Sequence, residues 1–226
     1  MRKVVIGLAL ASTAMATPAL ARDDSWYIEL DAGVMIPEDT DFAIIDDGEP
    51  TGDGGTVDWD YGTDFGGIVG YDFGMLRLEA EAAYKMANDD GADLTEDGES
   101  GTLDDSDIDI KFRTLSFMLN GLLDFGPDDG LQGFVGGGVG VARTKLKIAD
   151  LDFSDSDTGF AWQALAGVRA PLSDNVDIGL KYRYFRHDDI KYEGGEVETD
   201  LATHSLMLTL GYNFGAPTPP PPPPPP

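Results

Sequence analysis

Few groups in this 226-residue chain suit bond-making chemistry: it has two histidines, no cysteine, and 42 acids against 15 bases. His204 stands next to Ser205 in an alternating stretch. Neighbouring residues of a strand point to opposite faces, so the two cannot meet as base and nucleophile. His187 sits by itself at the mouth of an acidic loop. Without cysteine there is no disulfide framework and no thiolate metal site. The stretch 93–98, with Asp104 at the twelfth place, imitates a calcium loop. Thr95 fills its third place and an aspartate its twelfth, and no flanking helices are expected. The expectation is therefore no enzyme, no cofactor and no specific metal site, with diffuse divalent-cation association by the acids.

Two sets of charges do form patterns. Glu29, Asp31, Glu79, Glu81, Arg169, Lys181 and Arg183 alternate with apolar neighbours and so share the polar face of their strands. Acids come early in the chain and bases late, and buried charges are tolerated where they pair. Lys111, Arg113, Arg143, Lys145, Lys147 and Arg186 alternate in the opposite phase. They lie on the apolar face, each at a strand end beside an acidic segment.

The elements that must hold these residues are strands. Eight are expected, at 26–36, 61–73, 76–86, 110–125, 132–147, 159–170, 176–186 and 201–214. Each shows the two-residue period of a strand with one apolar face. In the last, Leu206, Leu208, Leu210, Tyr212 and Phe214 oppose Ser205, Met207, Thr209, Gly211 and Asn213. Ahead of the strands, Arg2 and Lys3, the apolar run 4–16 and Ala19-Leu20-Ala21 read as a signal peptide over 1–21. Residues 22–214 form the expected barrel domain, and 215–226 a proline-rich tail extending into the periplasm.

The net charge of −27 is concentrated: 29 of the 42 acids fall within 37–60, 87–109, 149–158 and 188–200. These long acidic connections alternate with short turns near 74, 126–130 and 171–175, the layout of an outer-membrane barrel. Nucleic acid is not expected as a partner of such a surface. A soluble lipocalin-like barrel would turn its greasy face inward; here the polar face is the charged one, and the other is almost uncharged through mid-strand. A lipid-facing base at mid-depth would cost about 2–4 kcal/mol. The reading is an all-β, eight-stranded antiparallel transmembrane β-barrel in the cell outer membrane, with aromatic girdles at both rims. The six outward bases then form a ring at the extracellular end alone. Phosphate is the group such cations pair with, which makes lipopolysaccharide the expected lipid partner.

The chain resembles the OmpA-type family of small outer-membrane barrels. The resemblance rests on Trp26-Tyr27, the stretch 66–73, the stretch 78–84 with Glu81, Tyr182-Arg183-Tyr184, and 208–214, and covers about 22–214. It implies an interior where acids and bases of different strands pair. It also implies a closing strand (Leu208, Leu210, Tyr212, Phe214) read by the outer-membrane assembly machinery. Family members commonly continue past a proline-rich linker into a peptidoglycan-binding domain, so peptidoglycan would be a partner only through a domain absent from this chain. Asp31 and Lys181 carry signs opposite to those expected from the family, which leaves its gating mechanism behind. The expected function is structural: a membrane anchor with a charge-paired lumen that presents acidic loops outward. A small non-specific porin, and a surface adhesion or recognition protein acting through the loops, stand as alternatives.

Overall fold

A computed structural model describes residues 24–215, except 47–48, 97–98, 105–109, 128–129, 149–152 and 193–196. The expected signal peptide and the proline run lie outside the described residues. Eleven strands follow in order: β1 (Ser25–Pro37), β2 (Thr40–Asp46), β3 (Glu49–Trp59), β4 (Gly62–Asp72), β5 (Leu76–Glu96), β6 (Glu99–Asp104), β7 (Ile110–Phe125), β8 (Gln132–Ile148), β9 (Phe153–Pro171), β10 (Val176–Tyr192) and β11 (Val197–Asn213). Eight of them, β1, β4, β5 and β7–β11, form the wall, each antiparallel to its neighbours. The wall closes where β11 meets β1, from Tyr27↔Asn213 to Pro37↔Thr203. Closure leaves no open edge in lipid, where every backbone group must find a partner within the protein.

The alternation of apolar and polar residues sets the two faces. Leu30, Leu119 and Leu208 are 66, 68 and 65% exposed, whereas Arg77, Lys181 and Arg183 are 1, 1 and 0% exposed. In water that arrangement would forgo about 1.5–3 kcal/mol for each large apolar side chain. In a bilayer it is the stable one, because the lipid covers the apolar band. Among the described residues no Asp, Glu, Lys or Arg lies on the outer face between the two aromatic girdles. One girdle contains Trp26, Tyr71 and Phe73, with ring centroids 5.3 and 4.5 Å apart. The other contains Trp162 and Tyr184, at 5.5 Å. Gly74 and Gly126 sit at φ 92° and 116° in two of the short turns, a conformation glycine adopts without a side-chain clash.

The acidic connections are not simple loops. Above Met35↔Gly62 the β1–β4 pair ends, and the β2–β3 hairpin takes its place in the wall. β2 pairs with β11 from Thr199↔Phe42 to Val197↔Ile44, and β3 pairs with β5 from Trp59↔Asp89 to Gly54↔Thr95. β6 pairs with the outer half of β5. β5, β9, β10 and β11 also run further outward than alternation alone indicated. The barrel thus continues as a crown above the membrane, built on backbone ladders that acidic, glycine-rich sequence does not advertise.

Candidate functional site

The lumen is filled by side chains in three storeys. At the periplasmic end Arg77 of β5 grips Asp124 of β7 with Nε at 2.7 Å and Nη2 at 3.0 Å. Its Nη1 also donates to Tyr27 Oη at 3.2 Å and Glu79 Oε1 at 3.3 Å. Arg169 of β9 donates from Nη2 to Asp124 at 2.8 Å and Asp72 at 3.1 Å, and from Nε to Gln132 at 2.8 Å. Planar guanidinium forks suit such multiple carboxylate contacts.

In the middle storey Lys181 Nζ lies 2.5 Å from Glu29 and 3.0 Å from Asp31. Arg183 meets both oxygens of Asp64 at 2.9 Å, Glu81 at 2.8 Å and Asp31 at 3.3 Å. Neutral amides complete the web. Asn120 donates to Glu81 at 2.9 Å and Glu79 at 3.3 Å. Gln163 donates to Asn120 at 2.7 Å and to Glu81 at 3.1 Å, and Ser205 donates to Asp64 at 2.7 Å. Lys85 stands 3.7 Å from Asp64 with its ammonium 4.1 Å from the Phe185 ring centroid.

The upper storey is apolar. Met35, Ala87, Phe112, Ile190, Tyr192 and Leu201 are buried together, with Trp59, Leu146 and Val197 packed against them. Trp59 meets Phe112 edge-on at 4.8 Å. Burial, with Asp157 and Asp155 nearby, raises the Tyr192 hydroxyl above its ordinary pKa, so it serves as a neutral member of this plug.

All seven residues read from the sequence as lumenal (Glu29, Asp31, Glu79, Glu81, Arg169, Lys181 and Arg183) are buried inside the barrel. They do not form one cluster. Arg169 joins the periplasmic storey, and Glu79 bridges the two, accepting from Tyr27 and Arg77 on one oxygen and from Asn120 on the other. Asp64, Asp72, Arg77, Lys85, Asn120, Asp124 and Gln163 complete the network. Their position on the polar face was visible in the sequence, but which of them meet was not. His187 corrects a sequence expectation: it is not at a loop mouth but fully buried, with Nδ1 2.9 Å from Thr144 Oγ1. His204 is on the outer face, 2.7 Å from Tyr182 Oη and 2.8 Å from Glu38.

The six outward bases do not form a ring. Lys111, Arg113, Arg143, Lys145 and Lys147 share β7 and β8, while Arg186 lies apart on β10. Arg186 is held by Asp188 and by Asp200, the latter at 2.9 Å. Leu208, Leu210, Tyr212 and Phe214 line the lipid face of β11 and its end, where the Phe214 amide donates to Trp26 O at 2.9 Å. Of the stretch imitating a calcium loop, 93–96 lie on β5 and Asp104 on β6, which pair from Gly91↔Asp104 to Glu96↔Glu99, and 97–98 lie outside the described residues. Among the described residues no group of three or more His, Cys, Asp or Glu is placed to hold a metal ion.

A closed wall, an apolar belt and a charged interior define an integral outer-membrane β-barrel protein, located in the outer membrane. Residues 7–214 match the outer membrane protein beta-barrel domain family, and the chain belongs to it. It is 28% identical over 179 residues to outer membrane protein PagN of Salmonella typhimurium, covering 66% of this chain and 73% of that protein. It is 26% identical over 208 residues to the putative adhesin RP828 of Rickettsia prowazekii, covering 85% and 88%. Among solved structures, it matches OprG from Pseudomonas aeruginosa with a TM-score of 0.54 at 19% identity, covering 86% of this chain and 98% of that one. Neisserial surface protein A gives 0.51 at 14%, covering 84% and 97%. These two likenesses concern the fold.

Proposed function

We propose that this protein is a non-conducting, non-enzymatic barrel that anchors the acidic crown at the cell surface and acts through that crown in surface recognition. The observation that carries this reading is the filled lumen: paired ions across its lower two storeys and an apolar plug above them. Eight strands leave an interior just wide enough for side chains, and an ion crossing here would have to break several buried salt bridges. The small-porin alternative is therefore the weaker one. The relatives named above as PagN and a putative adhesin support a surface role. Residue features of the OmpA-type barrels support the finer kinship, in which peptidoglycan would be met only through a further domain. The outward bases support contact with phosphorylated outer-leaflet lipid, and the closing residues of β11 support recognition by the assembly machinery.

Two measurements test the proposal. Refolded protein in planar bilayers should give no steady open level, and steady currents in most insertions would overturn it. Cells displaying a variant in which a short turn replaces 40–59 should lose adhesion to host matrix while the barrel still inserts. Unchanged adhesion would remove the crown from the function.

A further inference from the structure

The outer face turns basic on one side only, immediately above the aromatic belt. Tyr84 of β5 pairs with Leu115, and Phe160 of β9 with Val141. The next outward positions are Arg113 on β7 and Arg143 on β8, followed by Lys145, Lys111 and Lys147. Arg113 lies directly opposite Lys145, and Lys111 opposite Lys147. Directly opposed like charges destabilise a sheet, so the Arg113–Lys145 pair calls for an anion. On the adjoining strand, Thr158, Ser156 and Ser154 stand opposite Arg143, Lys145 and Lys147. Arg143 Nη2 donates to Ser156 Oγ at 2.9 Å, which joins cations and hydroxyls into one surface. Among the described outward positions of β7, β8 and β9 there is no acid, in a chain of net charge −27.

We propose that the outer face of β7–β9 binds the phosphorylated headgroup of a single outer-leaflet glycolipid. A phosphomonoester would be held between Arg113 and Lys145, with Arg143 and the three hydroxyls alongside and Lys111 and Lys147 extending the site outward. The proposal rests on the lipid-contact reading above and narrows it from six bases to one place, with Arg186 excluded. Outward residues repeat at about 6.8 Å along a strand and about 4.8 Å between strands, a scale at which one phosphate can accept from two strands at once. Below the site, Phe117, Leu119, Val139 and Val141 are exposed and offer the apolar strip that acyl chains require.

The test uses refolded protein in phosphatidylcholine vesicles with bisphosphorylated lipid A or its fully dephosphorylated form. The wild type should bind the phosphorylated lipid at least about tenfold more tightly, and Arg113→Gln with Lys145→Gln should abolish that preference. The same pair should raise the thermal midpoint in phosphatidylcholine alone, because repulsion is relieved, and lower it relative to wild type once lipid A is present. Arg186→Gln should leave both readouts unchanged. Equal binding of the two lipids by wild type, or a preference kept by the paired variant, would overturn the proposal. If Arg186→Gln weakens binding as much as the pair does, general lipid contact stands and the single site falls. If no substitution alters binding, both fall. Should the paired variant fail to insert, Ser154→Ala with Ser156→Ala and Thr158→Ala leaves every charge in place. It should lose about threefold or more, and no loss would also overturn the site.

Discussion

Arg183 of β10 and Asp64 of β4 face each other across the lumen, one guanidinium nitrogen meeting both carboxylate oxygens at 2.9 Å. The same side chain serves Glu81 and Asp31. Arg183→Ala leaves three buried carboxylates short of a cation. The expected loss is about 3–5 kcal/mol, as when one partner of a buried pair is removed. Urea unfolding in lipid vesicles would measure it, and an unshifted midpoint would show that Lys85 and Lys181 suffice. Arg183→Lys should recover only part of the loss, since an ammonium cannot reproduce the forked contact.

Gly66 and Gly67 are neighbours on β4 with opposite orientations. A Cβ on Gly66 would fall 2.0 Å from Asp31 Oδ1, while one on Gly67 meets only Leu30 Cδ2 at 3.8 Å. Asp31 cannot swing away without abandoning Lys181 and Arg183. Gly66→Ala is expected to destabilise the barrel by about 1–3 kcal/mol, as overpacking does, and Gly67→Ala to be close to neutral. Equal effects on thermal stability would rule out this view of the packed interior.

Phe112 is the centre of the apolar plug and the edge-on partner of Trp59. Phe112→Ala should cost the crown about 3–5 kcal/mol while the lipid-embedded wall persists. Of the three tryptophans, only Trp59 should then become accessible to a soluble quencher. Quenching that rises equally at Trp26 and Trp162 would mean that crown and wall melt as one unit.

Phe214 is 58% exposed on the lipid side and donates its amide to Trp26. Because that hydrogen bond is backbone, Phe214→Ala keeps it. Insertion assisted by the assembly machinery should slow, with equilibrium unfolding in vesicles little changed. A loss of stability with unaltered insertion kinetics would make Phe214 an ordinary packing residue.

The wall was legible because its two faces carry opposite chemistry, and a period of two reports a face directly. Lys181 and Arg183 could be matched to Glu29, Asp31 and Glu81 by sign and by side. The roles of Asp64, Asp72, Arg77 and Asp124 could not be assigned, because partners across a barrel depend on strand register, and alternation leaves register open. The crown was hidden for a different reason. In 40–59 the apolar residues come in two short pieces, Phe42–Ile45 and Val57 with Trp59, set apart by acids, glycines and a proline, and each piece is too short to declare a strand although Phe42, Val57 and Trp59 pack together in the fold. His187 was misplaced because β10 continues outward beyond Arg186, which carries the histidine into the lumen.

Several interior ion pairs join residues that are distant along the chain. Lys181 reaches Glu29 across 152 positions, Arg183 reaches Asp64 across 119, and Arg169 reaches Asp72 across 97. The β4–β5 hairpin can set Lys85 near Asp64, and β7 brings Asp124 to Arg77, but the acids of β1 meet their cations only when β10 docks. While the sheet is still open its inner surface must stay wet, with β1 waiting for the cations that β10 supplies. The docking of the last two strands thus both seals the cylinder and dries it, so maturation takes the form of a latch: incomplete barrels remain hydrated and recognisably unfinished.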